Sequence, residues 1–417
     1  MVFAAGSRGD VQPLVALALG LQRAGHDVTV SAARDFGPFV EGHGLGFHGF
    51  SADVRELLDS DLGRSWLGHS SHRPMLELKL LTQMVDTWGL ALVDEVLSLV
   101  GSADLFLSGV LTIDGTDAVV RAGGGRHVVA LMAPFAPTRA GWAGVQASRP
   151  RSVTRANLVA GQVTNWFLAG AFGAPGREIR RRLGLAQPSR RQRARLYVDT
   201  PTVVGVSPAV VPQPRDWPPH VRVTGYWFLD RAAGWEPDAG LREFLGNGEP
   251  PVYVGFGSMS THDADGTMAT ILGAVARAGV RAVIHRGAAG LATDDLPGGV
   301  LLVDDVPHDW LFPQCAAVIH HGGAGTTGAA LRAGVPSGVI AHIGDQPFWG
   351  RRVHELGVGA PPLRRHQATA DALARMVETL VGSPGIAARA ADLGATIRAE
   401  DGVSRAVEHI ERVVGAM

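Results

Sequence analysis

Apolar and polar residues follow two different periods along this chain. A short apolar run at residues 2–5 leads into a polar loop, residues 7–13, and then into residues 14–24, whose apolar positions have helical spacing. Gly25 closes that stretch, and residues 28–31 form a second apolar run. Strand, loop, helix and strand in this order predict a parallel sheet with a crossover helix. The first run has no polar lead, which predicts a natural start a few residues upstream. More strands are predicted at residues 105–107, 128–131 and 203–206, with helical segments between them. Five prolines then fall between Ser207 and Pro219, where neither a helix interior nor a central strand tolerates them. Beyond them the alternation restarts. "PPVYVGFGSMS", "GVLLVDDVP", "CAAVIHHGG" and "SGVIAHIGDQ" each run from an apolar strand into a loop, and residues 387–417 have helical spacing. The expected organisation is α/β, with two doubly wound, Rossmann-like domains. The first domain spans 1–212, a linker 213–236 and the second domain 237–400, with a closing helix at 401–417.

Composition narrows this picture only in places. A length of 417 residues exceeds one ordinary core, which agrees with two domains. The net charge of -1 offers no overall basic field for nucleic acid or an anionic membrane. The single cysteine, Cys315, excludes an intrachain disulfide and any multi-cysteine zinc site, and its place before an apolar run predicts a buried thiol. Arg8 and Asp10 interrupt the N-terminal region too early for a signal peptide, so a cytoplasmic location is expected. Residues 156–176 carry no charge and are long enough to cross a bilayer. Gln162, Thr164, Asn165 and four glycines oppose a span there, so a helix lining an apolar cavity is expected.

The chemistry-bearing residues gather at predicted strand ends, where parallel sheets bind ligands. In "VIHHGGAGTTGAALRAGVP", His320 and His321 end a strand. Gly322, Gly323 and Gly325 let a ligand approach the backbone, and Thr326 and Thr327 are placed to cap a helix that runs to about Ala333. Free N–H groups at a helix start suit a phosphate, and a histidine beside them adds a donor; a plain glycine turn is the alternative. "VGFGSMS" brings Ser258 to another strand end. "IGDQPFWG" brings Asp345 and Gln346, a carboxylate and an amide suited to vicinal hydroxyls. In "DDVPHDWLFPQ" the Val306 backbone suits a base edge, and Trp310 is expected in the core. In "AAGSRGDVQP", Asp10 opens a helix as a cap or as a general base. Two motifs are discounted as metal sites: Asp263–Asp265, expected as a solvated turn, and His69 with His72, which lack a third ligand.

Together "GSRGDVQP", "YVGFGSM", "VPHDWLFPQC", "HHGGAGTT" and "GDQPFWG" resemble a family 1 glycosyltransferase of the GT-B fold, in the bacterial natural-product and sterol glucosyltransferase-like branch. The match weakens between Ile113 and Pro212. The resemblance implies two domains facing each other across a cleft: an N-terminal acceptor domain and a C-terminal donor domain, with the last helix crossing back to the first. It implies that Ser258, His321, Gly323, Gly325 and Thr326 hold a diphosphate, that Asp345 and Gln346 hold the sugar and that Val306 meets the base. Asp10 stands where many relatives carry a histidine base, with Ser7 and Arg8 as diphosphate or acceptor contacts and Asp114 as a candidate relay. Asp305 replaces the tryptophan that plant relatives stack on the base. The implied reaction is inverting transfer from a UDP- or dTDP-sugar to a hydroxyl of an apolar small molecule, a polyketide, macrolide, glycopeptide or sterol-like acceptor. No metal or other cofactor is expected, nor a nucleic-acid partner or an integral membrane segment, and the assembly is expected to be a monomer or homodimer. A sugar-nucleotide epimerase and a non-catalytic partner of another transferase are the competing readings.

Overall fold

The computed structural model describes residues 1–69, 74–232, 234–256, 263–287 and 296–415. The chain forms two compact units. The first comprises Met1–Gly63, Met75–Leu229 and Glu400–Met417, and the second Arg64–Pro74 and Asp230–Ala399.

The first unit holds a sheet of seven parallel strands. They are β1 (Val2–Phe3), β2 (Thr29–Ala33), β3 (Gly46–Phe50), β4 (Leu105–Ser108), β5 (Arg126–Leu131), β6 (Thr202–Val204) and β7 (Val221–Val223), ordered β3-β2-β1-β4-β5-β6-β7. Two strands escape the sequence pattern. In β3, "GFHGF" has two glycines and a histidine in place of branched aliphatics. The second is β7, which lies inside the segment expected to be a linker. That expectation is corrected: prolines flank β7 without entering it, and the edge position needs pairing on one side only.

Helices cover this sheet: α1 (Arg8–Arg23), α2 (Ile113–Gly123), α3 (Arg155–Ala171), α4 (Gly173–Arg182) and α5 (Arg190–Asp199). Helix α1 starts six residues before its predicted start, because Ser7 and Asp10 form a capping box that outweighs Pro13. The uncharged stretch at 156–176 spans α3 and enters α4. Its expected role as a cavity wall is corrected, since Val159, Val163, Trp166 and Phe167 are exposed. No described helix is long and apolar enough to cross a membrane.

The second unit holds six parallel strands: β8 (Val252–Gly255), β9 (Ala282–His285), β10 (Val300–Val303), β11 (Ala317–His320), β12 (Ser337–Ala341) and β13 (Leu363–Arg364), ordered β10-β9-β8-β11-β12-β13. Helix α6 (Ala324–Ala333) follows β11, and α7 (Gln346–Glu355) follows β12. Cys315 is buried, and burial pushes its thiol up to about 12, so it behaves as a small apolar group. Trp310 packs against the core that holds Tyr253 and Phe312.

The tail, read as one helical stretch, is two helices broken at residues 399–401. Pro384–Arg398 belongs to the second unit and Gly402–Gly415 to the first. The final helix seats Ala406, Val407 and Ile410 in the core that contains Leu14, Leu17 and Leu21 of α1. Burial of each large aliphatic there contributes roughly 1.5–3 kcal/mol. Its entry depends on a backbone approach: a Cβ at Gly402 would lie 2.3 Å from the Tyr226 carbonyl oxygen and 2.5 Å from the Gly225 carbonyl carbon. Backbone cannot rotate away, so Gly402→Ala is expected to lower stability by about 1–3 kcal/mol. Urea unfolding measures this, and an unchanged midpoint would refute the close approach.

Candidate active site

Each sheet reverses its winding once, between β1 and β4 in the first unit and between β8 and β11 in the second. Strand succession runs outward on either side of that point, so the loops beyond the carboxyl ends diverge and leave a crevice. The candidate residues of each unit follow these strands.

In the second unit, β11 delivers His320 and His321 to the crevice. His320 is fully buried, and its Nδ1 accepts the Gly322 N–H at 3.0 Å. Burial lowers its pKa to about 3, so the ring is neutral and keeps the lone pair that this bond requires. Gly322 sits at φ +90°, and a Cβ there would lie 2.7 Å from Val339 Cγ1 and 3.1 Å from the Gln346 carbonyl oxygen. Only glycine satisfies both constraints. Gly323 then caps α6 with its backbone alone, and a Cβ there would lie 2.4 Å from His321 Nε2. The His321 imidazole therefore lies against the start of the helix. Burial lowers its pKa to about 4, so above that pH it is a neutral ring with one N–H to give. As the first residues of a helix, Ala324, Gly325 and Thr326 have N–H groups with no intrahelical acceptor. The threonines differ from expectation as caps. Thr326 is the third helical residue, and Thr327 donates back to the Gly323 carbonyl at 2.8 Å. Helix α6 does end at Ala333, with Gly334 left-handed at φ +76°.

The loop after β12 packs against this turn, as the Gly322–Gln346 approach shows. Gln346 is buried, and its Oε1 accepts the N–H groups of His342 at 2.7 Å and Ile343 at 3.0 Å. Its carbonyl end is thus spent on holding the loop. Asp345 takes the N-cap position of α7 without a side-chain cap bond. Its Oδ2 instead accepts the indole N–H of fully buried Trp349 at 2.7 Å, which aims the carboxylate. Val306 packs beside Trp310 at the rim of the core. Asp305 is exposed and lies 3.7 Å from His285. Ser258 falls outside the described residues, as does His72.

In the first unit, the loop after β1 presents Asp10. Its Oδ2 accepts from the Ser7 N–H at 2.8 Å and the Ser7 hydroxyl at 3.1 Å. Asp10 is therefore the third residue of α1, with Ser7 as the cap. The residue is open to water by surface area, yet the protein crowding its carboxyl raises its pKa, against the lowering effect of Ser7. The net direction is upward, because one oxygen carries both local bonds and the desolvation acts on the whole group. The Ser7 hydroxyl is committed to Asp10. Arg8 donates to Gln12 at 3.3 Å and lies over the Phe39 ring, 5.1 Å from its centroid. Asp114 is engaged elsewhere: Arg180, almost fully buried, bridges Asp114 and Asp117 at 2.6 Å each, and Arg193 lies 3.8 Å from Asp114. That network ties α2 to α4 and α5 and gives Asp114 a structural role.

The discounted motif at 263–265 is a cap, with Asp263 accepting the Gly266 N–H at 2.7 Å. Among the described residues no group of three or more His, Cys, Asp or Glu could hold a metal ion. Sequence reasoning assigned no role to His320 or Trp349. His320 continues the unbroken apolar run of "AAVIHH", the pattern of a strand buried on both faces, and that was the available signal.

Comparisons with known proteins agree with this architecture. Residues 1–104 match the glycosyltransferase family 28 N-terminal domain, and residues 269–412 match the erythromycin biosynthesis protein CIII-like C-terminal domain. An O-mycaminosyltylonolide 6-deoxyallosyltransferase of Streptomyces fradiae is 34% identical, over 97% of this chain and 95% of the relative. The chain belongs to the glycosyltransferases. A sterol 3-beta-glucosyltransferase of Arabidopsis thaliana is 32% identical, over 99% of this glycosyltransferase and 67% of the relative. One from Aspergillus fumigatus is 33% identical over 98% of this chain, which spans only 29% of that longer protein. Among solved structures, the calicheamicin glycosyltransferase CalG4 has a TM-score of 0.69 at 18% identity, covering 99% of this chain and 98% of that one. The Streptomyces sp. SF2575 glycosyltransferase SsfS6, complexed with thymidine diphosphate, has a TM-score of 0.63 at 22% identity, covering 99% and 98%. These neighbours identify the fold as GT-B.

The His320–Gly322 bond can be tested by what replaces it. His320→Leu leaves a buried N–H without an acceptor, a cost of about 1–3 kcal/mol, equivalent to about tenfold weaker binding of UDP or dTDP if the turn relaxes. His320→Asn, whose amide oxygen reaches the same distance, is expected to retain most of the affinity. Titration calorimetry of the two variants measures the difference, and equal affinities would refute a role for this bond.

Proposed function

We propose that this glycosyltransferase moves a sugar, with inversion, from a UDP- or dTDP-sugar to a hydroxyl of an apolar small molecule. The observation that carries the donor half is the turn from His320 to Thr326. Its open N–H groups, helix start and neutral His321 suit a diphosphate, which gathers charge as it leaves. Asp345 and Gln346 supply a carboxylate and an amide N–H for sugar hydroxyls, and the Val306 backbone supplies the base contact. The neighbour bound to thymidine diphosphate favours dTDP as one donor base. The acceptor reading rests on the relatives' names, one a sterol transferase and one a tylonolide transferase. Both imply a hydroxyl on a largely apolar frame.

Asp10 is the proposed general base. The acceptor oxygen forms a bond to the anomeric carbon as its proton passes to the Asp10 carboxylate. The anomeric C–O bond to the diphosphate breaks, and the nucleoside diphosphate leaves with the bonding electrons. Ser7 orients the carboxylate through its two bonds to Oδ2. A pKa raised by the surrounding protein makes Asp10 a stronger base than a solvated aspartate. Protein groups alone are proposed to neutralise the diphosphate.

Asp10→Asn keeps an oxygen for the Ser7 bonds but cannot take a proton. Turnover is expected to fall by about 10²–10⁴, while nucleotide binding is retained. Because the folded-state pKa is raised, ionised Asp10 opposes folding above that value, so the asparagine variant is expected to melt no lower than the parent at neutral pH. In the parent, kcat/KM is expected to drop as pH falls through the raised pKa, at a higher pH than an ordinary aspartate would give. Full turnover by the variant would refute the base assignment. For the donor, a thermal-shift series with UDP, dTDP, GDP and ADP in EDTA is expected to show stabilisation by UDP or dTDP. No stabilisation by any of the four would refute the diphosphate site.

A further inference from the structure

The net charge of -1 conceals a strong local imbalance. Residues 139–195 contain twelve arginines, one glutamate and no lysine or aspartate, a local charge of +11. Helix α3 lies in the middle of this segment and is inverted relative to an ordinary surface helix. Its inward face carries Asn157 and Asn165, whereas Val159, Val163, Trp166 and Phe167 face outward, 37–54% exposed. Those positions share one stripe of a helix, and Val153, 62% exposed, extends it beyond the N-terminus. A contiguous apolar stripe of this kind marks an interaction surface.

The arginines are held at both ends of the stripe. At its start, the buried Asn157 amide donates to the carbonyls of Arg139, Arg149 and Ser152 and accepts from the Arg149 N–H and the Ser148 hydroxyl. This one side chain gathers the loop segments that carry Arg139 and Arg149 around the start of α3, where Arg155 is also exposed. At its far end, the Arg190 guanidinium lies 3.4 Å from the Trp166 ring centroid, and Arg191 is exposed beside it. Arg139, Arg149, Arg155 and Arg191 make no ion pair among the described residues. Cations flank the stripe, and the helix itself carries no acidic side chain; Asp216 accepts the Arg139 N–H at 2.8 Å, at one flank only.

We propose that this face docks on an anionic lipid bilayer surface, with Val163, Trp166 and Phe167 entering the interface and the flanking arginines meeting lipid phosphates. An apolar helical face rimmed with arginine is the pattern that interfacial helices use. Tryptophan under a guanidinium suits the boundary between headgroups and acyl chains. Within the segment, Arg180, Arg182, Arg193 and Arg195 pair with carboxylates outside it, but Arg139, Arg149, Arg155 and Arg191 do not among the described residues. A second copy of the chain is therefore disfavoured, because a two-fold contact would bring these unpaired arginines of both copies together. Nucleic acid is disfavoured because Arg190 already covers the Trp166 ring and the valines beside it offer neither stacking nor hydrogen bonds. Docking at a bilayer would bring the enzyme to the phase that apolar molecules partition into.

The test is co-sedimentation of the full chain with sucrose-loaded vesicles. Binding to equimolar phosphatidylcholine–phosphatidylglycerol is expected to exceed binding to pure phosphatidylcholine about tenfold, and to fall as salt rises. Val163→Ser combined with Phe167→Ser is expected to lose that binding, and Arg155→Gln combined with Arg191→Gln to weaken it on the anionic vesicles only. Both positions of each pair are exposed, so the melting temperature and its nucleotide-induced shift are expected to be unchanged. That shift keeps a failure here separate from a failure of the donor assignment. Absence of vesicle binding, equal binding to the two lipids, or an oligomer that the serine variant dissociates would each overturn the proposal.

Discussion

A parallel sheet buries both faces under helices, and it can admit a ligand only beyond the strand ends where its winding reverses. Both units obey this constraint. In the second, the reversal between β8 and β11 opens room for a turn so closely packed that only glycine fits at position 322. The turn is shaped from beneath by buried groups. His320 holds one peptide, Val339 and Gln346 forbid a side chain at Gly322, and Trp349 steers the carboxylate of Asp345. Much of the candidate chemistry therefore depends on residues that a ligand would never touch.

Charge states follow from the same burial. The protein desolvates His320 and His321 and makes them neutral, so they act through lone pairs and N–H groups. It also raises the Asp10 pKa. A neutral histidine can help accommodate a diphosphate without repelling the neighbouring histidine. A destabilised carboxylate is better disposed to accept a proton. Both effects cost folding free energy, which the apolar cores around β1, β4, β8 and β11 offset.

Whole-chain averages hide how charge is distributed. A net charge near zero combines a segment of +11 with an acidic remainder, and the segment surrounds a helix whose apolar residues face outward. The same uncharged stretch that invites a reading as a cavity wall is, in three dimensions, half of a surface. Hydropathy along the chain reports that apolar residues are present. It does not report which way they face.

Several elements were legible from the sequence because their causes are local. Apolar runs between glycines and prolines located most strands, a left-handed glycine ended α6 at Ala333, and the motif order carried the family. Other elements depended on distant partners. β3 and β7 have weak strand patterns and exist because neighbouring strands offer them hydrogen bonds. Arg180 and Arg193 claim Asp114, which left its relay role without support. The two tail helices share one pattern but separate into different units, because Gly402 alone admits the backbone of Gly225 and Tyr226. The sequence by itself determined the alternation of strands and helices and the residue types at each strand end, since both reflect nearest-neighbour sterics and periodicity. Only the tertiary structure decided which side chains are neutral, which are already paired and which apolar residues meet water, because desolvation and pairing depend on groups distant in the chain.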